Sequence, residues 1–169
     1  MRLLIEHGAD VKAQDETQLT PLHMASYSGI PDLVQLLIEH GVDTNGLDRN
    51  QSTPLHQASS RVSAKITFLF FRPRTDVNVQ EVWPTYHTPH PVNAVSIADT
   101  MRLLINHGAD ITAQDETHST PLHLAAFWCN TEAVRLLFEC GADVTTPDGN
   151  HKTPLHFALL RVSVETIKP

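Results

Sequence analysis

Eleven histidines and two cysteines in 169 residues raise the possibility of a metal centre or a thiol nucleophile. A structural zinc needs about four such donors converging on one point. His23, His56, His123 and His156 each close a Thr-Pro-Leu-His string, and the strings begin at Thr20, Thr53, Thr120 and Thr153. Histidines spread one per repeating unit cannot converge on a single ion. They are expected instead to bond the threonine three residues back and neighbouring backbone, tying adjacent units together. His7, His40 and His107 fall where helices end, beside the negative end of the dipole. His87 and His90 stand three apart with no cysteine or acid at ligand spacing. Asp15, Asp48, Asp115 and Asp148 each precede a string's threonine by five residues, which suits turn acceptors better than a general acid–base pair. Cys129 and Cys140 are accompanied by no Gly-x-Ser-x-Gly elbow and no phosphate-cradling glycine loop. No catalytic residue, cofactor or metal is expected.

The bulk properties narrow the partners. A net charge of −7 argues against a nucleic-acid backbone or an anionic membrane as the main ligand. No apolar run reaches the 18 residues a membrane-spanning helix requires. The opening stretch MRLLIEHGAD has too short an apolar core for a signal peptide. Two cysteines make no disulfide framework at this length, which favours cytoplasm or nucleus. A protein partner and a monomeric state are expected.

The elements that must carry these residues follow from the strings. Each threonine can cap a helix with its hydroxyl, and the proline after it occupies the first helical position, where a missing N–H costs nothing. Leu22 and Ala25 form one apolar face at helical spacing, and Gly29 ends this short helix. Pro31 opens a second helix whose Leu33, Val34, Leu36, Leu37 and Ile38 supply the main stripe, closed by Gly41 as a left-handed cap. The stripes Leu36-Leu37-Ile38 and Leu136-Leu137-Phe138 are expected in the core. The stretch from 42 to 52 is rich in turn formers.

Two periodicities are superposed. The strings lie 33, 67 and 33 residues apart, so the middle interval is read as two periods with one copy hidden or eroded. Residues 1–63 also align with 101–163 at a constant offset of 100: MRLLIEHGAD against MRLLINHGAD, AQDET at 13–17 against 113–117, Arg61-Val62-Ser63 against Arg161-Val162-Ser163. A period of this size signifies stacked copies of one supersecondary unit.

The recurring TPLHMA, TPLHQA, TPLHLA and TPLHFA, with LLIEHGAD, LLIEHGVD, LLINHGAD and LLFECGAD, resemble the signature of the ankyrin repeat family. The resemblance implies an all-α solenoid of stacked antiparallel helix pairs with projecting turn or hairpin fingers. One array is expected over 1–169, with units at 1–14 (partial), 15–47, 48–80, 81–114 (irregular), 115–147 and 148–169 (partial). Residues 72–98 depart from the pattern, because Pro84, Pro89 and Pro91 crowd the place of a first helix. Neither end carries a polar capping unit, so the chain reads as part of a longer array with Leu3, Leu4 and Ile5 partly uncovered. Family turns carry glycine two residues before the threonine; here Gln18, Gln51, His118 and His151 stand there, and looser or differently shaped fingers are expected. Asn45 and Asn78 occupy places that resemble hydroxylation sites in some repeats, and a turn-forming role explains them equally well.

What the resemblance leaves for function is surface. Partners of such arrays bind the finger tips and the inner face of the first helices. Carried onto this sequence, that gives Tyr27, Arg49, Arg61, Glu116, Phe127, Trp128, Lys152 and Arg161 as partner-binding candidates. The duplicated blocks keep their signatures, yet Tyr27-Ser28 has become Phe127-Trp128. Aromatic residues and arginine are the commonest interface hot spots; packing of Phe127 and Trp128 against the next unit is the competing reading. The implied function is non-enzymatic protein–protein interaction. The alternatives are a targeting or adaptor region of a larger enzyme or ubiquitin-ligase-type assembly, and a structural spacer.

Overall fold

The computed structural model describes residues 1–60 and 97–166, with side chains through Leu160. Among these residues all regular structure is helical. The helices are α1 (Arg2–Glu6), α2 (Pro21–Ser28), α3 (Pro31–Glu39), α4 (Pro54–Ser59), α5 (Ile97–Asn106), α6 (Pro121–Phe127), α7 (Thr131–Glu139) and α8 (Pro154–Thr166).

Local chemistry sets the boundaries. Thr20, Thr53 and Thr120 are extended N-caps, each followed by proline, and each shares a reciprocal capping box with the histidine three residues on. The second helices end on left-handed glycines, Gly41 at φ +72°, Gly108 at +87° and Gly141 at +91°. His7, His40 and His107 donate from Nδ1 to the carbonyls of Leu3, Leu36 and Leu103 at 2.7, 2.8 and 2.8 Å, closing those helix ends. Where the first block ends its short helix on Gly29 at φ +63°, the second uses Cys129 at +51°. The following Asn130, fully buried, caps α7 by accepting from the Ala133 N–H at 3.1 Å.

The helices stack in layers: α2 with α3, α4 with α5, α6 with α7, with α8 packed on α6 and Ile5 of α1 against the core. First helices run α2, α4, α6, α8 along one side of the stack, and second helices α3, α5, α7 along the other. The core threads through every complete layer: Leu22, Leu55 and Leu122 from the signatures, Leu37, Met101, Leu104 and Leu137 from the second helices. Burying each of these large side chains is worth roughly 1.5–3 kcal/mol.

The 67-residue interval takes a form that the spacing did not suggest. The layer of Thr53 abuts the layer of Thr120: α4 packs on α6, and His56 reaches across to the Ser119 carbonyl at 3.0 Å. α5 lies against α4 as its second helix and sits between α3 and α7. Its buried Ile97, Met101 and Leu104 supply the apolar face that α4 requires of a partner. The boundary expected at 80/81 and the prolines at 84, 89 and 91 lie outside the described residues, as do His87, His90 and Asn78.

Two further expectations change. Phe138 is 64% exposed, although Leu136 and Leu137 are buried. The buried face is made by Ala133, Leu136 and Leu137 and so is centred between positions 136 and 137, and the next step of about 100° carries residue 138 off it towards solvent. The fingers also keep the glycine-type conformation without glycine: Gln18, Gln51, His118 and His151 hold φ of +63°, +59°, +60° and +61°. At the first end Leu3 and Leu4 are 69% and 62% exposed and Ile5 is half-buried against the core, as anticipated.

Candidate functional site

Each finger is organised by one aspartate. Asp15 Oδ1 accepts from the backbone N–H groups of Thr17 and Leu19 at 2.8 and 2.9 Å and from the Thr17 hydroxyl at 2.7 Å. Asp48, Asp115 and Asp148 repeat the arrangement on Asn50 and Ser52, Thr117 and Ser119, Asn150 and Lys152. The N–H of each positive-φ residue donates to its own finger's aspartate carbonyl, as from Gln18 to Asp15 at 2.9 Å. This network holds a non-glycine residue at positive φ, against a left-handed penalty of roughly 1–2 kcal/mol. The Thr17 hydroxyl bond, with the N–H bonds of Leu19 and Thr17, holds the Asp15 carboxyl below its ordinary value. The recurring aspartates are therefore turn acceptors.

The fingers are joined edge to edge. The Arg49 N–H donates to the Thr17 carbonyl, Glu116 to Asn50 and Gly149 to Thr117, at 3.0, 2.8 and 2.9 Å. Asn45, on the loop after α3, donates to the Gly108 carbonyl at 2.9 Å and accepts from the Asp110 N–H at 2.8 Å. Its side chain thus has a scaffold role, joining two layers.

The signature histidines are bolts between layers. Thr20 donates its hydroxyl to His23 Nδ1 at 2.8 Å, and Nε2 meets the Ser52 carbonyl at 3.1 Å. A carbonyl only accepts, so Nε2 carries the proton and Nδ1 accepts. His56 makes the same pair of bonds to Thr53 and Ser119, and His123 to Thr120 and Lys152. Burial pushes all three imidazoles below the ordinary value of 6.5, against the opposing pull of those carbonyls. They are neutral scaffold groups at pH 7.

The candidate residues now separate. Tyr27 is half-buried on the last turn of α2. Arg49 is exposed, and its guanidinium donates to the Glu16 carbonyl of the preceding finger. Glu116 is exposed on the next finger, linked to it through Asn50. Lys152 is half-buried, with its carbonyl bonded to His123. Arg61 lies outside the described residues; Arg161 is within α8, and its side chain lies outside them. Phe127 and Trp128 are half-buried and meet edge to face, centroids 5.2 Å apart. Phe127 also meets Phe157 of the next layer at 6.3 Å, and Phe157 meets His123 at 5.0 Å. The aromatic pair is thus joined to an inter-layer row, in which Phe127 supports packing.

One set of positions escaped the sequence reading. The residue after each signature histidine is Met24, Gln57, Leu124 and Phe157. Met24 is 46% exposed and the other three are half-buried. The Gln57 amide donates to the Asp48 carboxylate at 3.2 Å, so this position opens at the base of the fingers. The signal was present: within TPLHxA it is the one letter that changes in every copy.

Two hollows recur at equivalent places, one including Lys12, Thr20, Val42 and Gly46, the other Thr112, Thr120, Ala142 and Thr146. Their recurrence at the offset of 100 marks them as products of the repeat geometry.

Comparison with known proteins accords with this architecture. A family model for ankyrin repeats, in three copies, matches residues 1–81 and 92–168. A stretch of 35 residues is 46% identical to mouse (Mus musculus) protein phosphatase 1 regulatory subunit 27. That match covers 21% of this chain and 23% of the relative, so the chain spans under a quarter of the length of the curated protein it matches. Thirty-five residues is about one period, and the identity falls within the reach of a single unit.

Proposed function

The chain belongs to the ankyrin repeat family, and from that premise we propose that it is a non-enzymatic module binding a protein partner across its fingers and first helices. The observation that carries this reading is the contrast within each unit. Threonine, proline, leucine, histidine and the finger aspartate are spent on caps, core and inter-layer bonds. The row Met24, Gln57, Leu124 and Phe157, with Tyr27 and Trp128 beside it, varies from copy to copy and remains accessible. A rigid frame presenting variable apolar and aromatic side chains needs little ordering on binding, which favours affinity. Aromatic anchors within a polar finger rim match the anatomy of protein interfaces. Cytoplasm or nucleus is the proposed setting, supported by two cysteines that are both free thiols.

The relative named as a phosphatase regulatory subunit favours a second reading, in which this array is the targeting or adaptor part of a larger enzyme assembly. One experiment bears on both. The wild-type chain and a Met24→Arg/Trp128→Ala variant, checked for equal melting temperature, are immobilised and the proteins each recovers are compared. Loss of a defined subset from the variant is the expected result. Identical sets would contradict recognition through this row, and a phosphatase catalytic subunit within the lost subset would support the adaptor reading.

A further inference from the structure

The chain's entire net charge of −7 sits on the finger side of the stack. The four finger segments, 9–19, 42–52, 109–119 and 142–152, hold ten acids and three bases, and the remaining residues balance at nine of each. The tips carry Asp15, Glu16, Asp48, Asp115, Glu116 and Asp148 against two cations, Arg49 and Lys152. Arg49 donates its guanidinium to the Glu16 backbone carbonyl, so it pulls on the Asp15 carboxylate without pairing with it. Among the described residues the one salt bridge is Arg102–Asp99 on α5, and no tip carboxylate is ion-paired. The bonds from the Arg49, Glu116 and Gly149 N–H groups join the tips into one ribbon, which holds these charges at fixed places. Beside the ribbon the chemistry reverses. α2, α4 and α6 contain no aspartate, glutamate, lysine or arginine. They present the row of Met24, Gln57 and Leu124, with Tyr27 and Trp128 next to it. The Gln57 amide on Asp48 places row and ribbon in contact.

Resting on the reading that this row binds a protein, we propose that its occupant is a cationic segment of the partner. Apolar side chains of that segment lie on the row, and its lysines and arginines lie along the ribbon. Charge complementarity selects this occupant: an acidic segment would be repelled by the tips, and a purely apolar one would leave their carboxylates unpaired. A single exposed ion pair adds little to affinity. A ribbon of them on a rigid backbone adds several such terms and steers the encounter as well. The length of the segment follows from the layers. Packed helices lie about 8–10 Å apart, and the row crosses α2, α4, α6 and α8, each packed on the next. An extended chain advancing about 3.3 Å per residue covers that distance with about nine residues. Stacking of units covers the layer faces and leaves both ribbon and row open.

Fluorescence anisotropy of the full chain with three labelled peptides of about nine residues tests this. The first peptide carries lysine and arginine with leucine at every third place, the second has glutamate for each cation, and the third is oligolysine. The first is expected to bind tightest, and to weaken about tenfold from about 0.05 to about 0.5 M salt. Glu16→Gln/Glu116→Gln neutralises two exposed carboxylates, so the melting temperature should hold. Affinity for the first peptide should fall about 3- to 10-fold in that variant, with a shallower salt dependence. Met24→Ala/Trp128→Ala alters no charge and should weaken the first peptide while leaving oligolysine unchanged. Should that pair lower the melting temperature, Met24→Ala, at a side chain 46% exposed, serves by itself. Equal binding of the first and second peptides, both weakened by Met24→Ala, would overturn the choice of a cationic segment and leave the reading of the row standing. Oligolysine binding as tightly as the first peptide, or binding indifferent to Met24→Ala, would overturn both. Binding by none of the three would overturn a linear cationic segment as the occupant.

Discussion

Leu55 and Leu155 occupy the same place in the same signature, yet one is fully buried and the other is 68% exposed. His56 and His156 differ likewise: both hold their capping threonine, but within the described residues only His56 has a carbonyl of the next layer in reach. The signature therefore prepares each unit for burial, and the neighbour supplies it. Stability in such a stack is a sum of unit terms and nearest-neighbour terms. Interior and terminal copies of one motif separate the two.

Leu55→Ala against Leu155→Ala is the sharpest way to test that separation. The interior substitution empties a sealed site and is expected to cost about 2–5 kcal/mol in urea unfolding. The terminal one should cost under about 0.5 kcal/mol, measured at low protein concentration. Equal costs would mean that the last layer is as well covered as the middle.

Acid comes next in size. His23, His56 and His123 have folded pKa values depressed by burial, so they resist the proton that the unfolded chain accepts. Their contribution is complete above the unfolded value near 6.5 and is lost as pH falls below it towards the depressed folded values. The urea midpoint should drop between pH 7.5 and 5.5. In His56→Gln that drop should shrink, on top of a loss of about 1–3 kcal/mol at pH 7.5 from the orphaned Thr53 amide and a Ser119 carbonyl left with only the Asp115 N–H. A wild-type midpoint independent of pH across this window would contradict neutral, buried bolts.

The smallest effect probes the fingers. Gln51→Gly removes a left-handed penalty, offset in part by the flexibility of glycine in the unfolded chain, for a net gain of up to about 1 kcal/mol. His151→Gly, on the last finger, should change the midpoint less. A loss on Gln51→Gly would show that the glutamine side chain itself holds the turn.

Much of this frame was legible in the residues. Thr-Pro marks each helix start, Gly8, Gly41, Gly108 and Gly141 mark the ends, and one histidine per unit announces a structural role. Other features needed three dimensions. A 67-residue interval divides into two periods by arithmetic, and only the reach of His56 to Ser119 shows two layers side by side. Phe138 reads as the third member of a leucine stripe, and the rotation of α7 turns it outward. The positive φ at Gln18, Gln51, His118 and His151 depends on aspartate bonds that offset its strain, and residue type alone argued against it. The row from Met24 to Phe157 was visible as variation within a fixed string, but its accessibility comes from the stack.

The central claim is that the fixed letters build and the variable letters bind. A photo-crosslinking amino acid placed at Met24 or Leu124, and in separate chains at Arg135 or Glu139 on α7, tests it most directly. Protein adducts from the first pair with few from the second are the predicted result. Adducts formed equally from both pairs, or from the α7 positions alone, would contradict it.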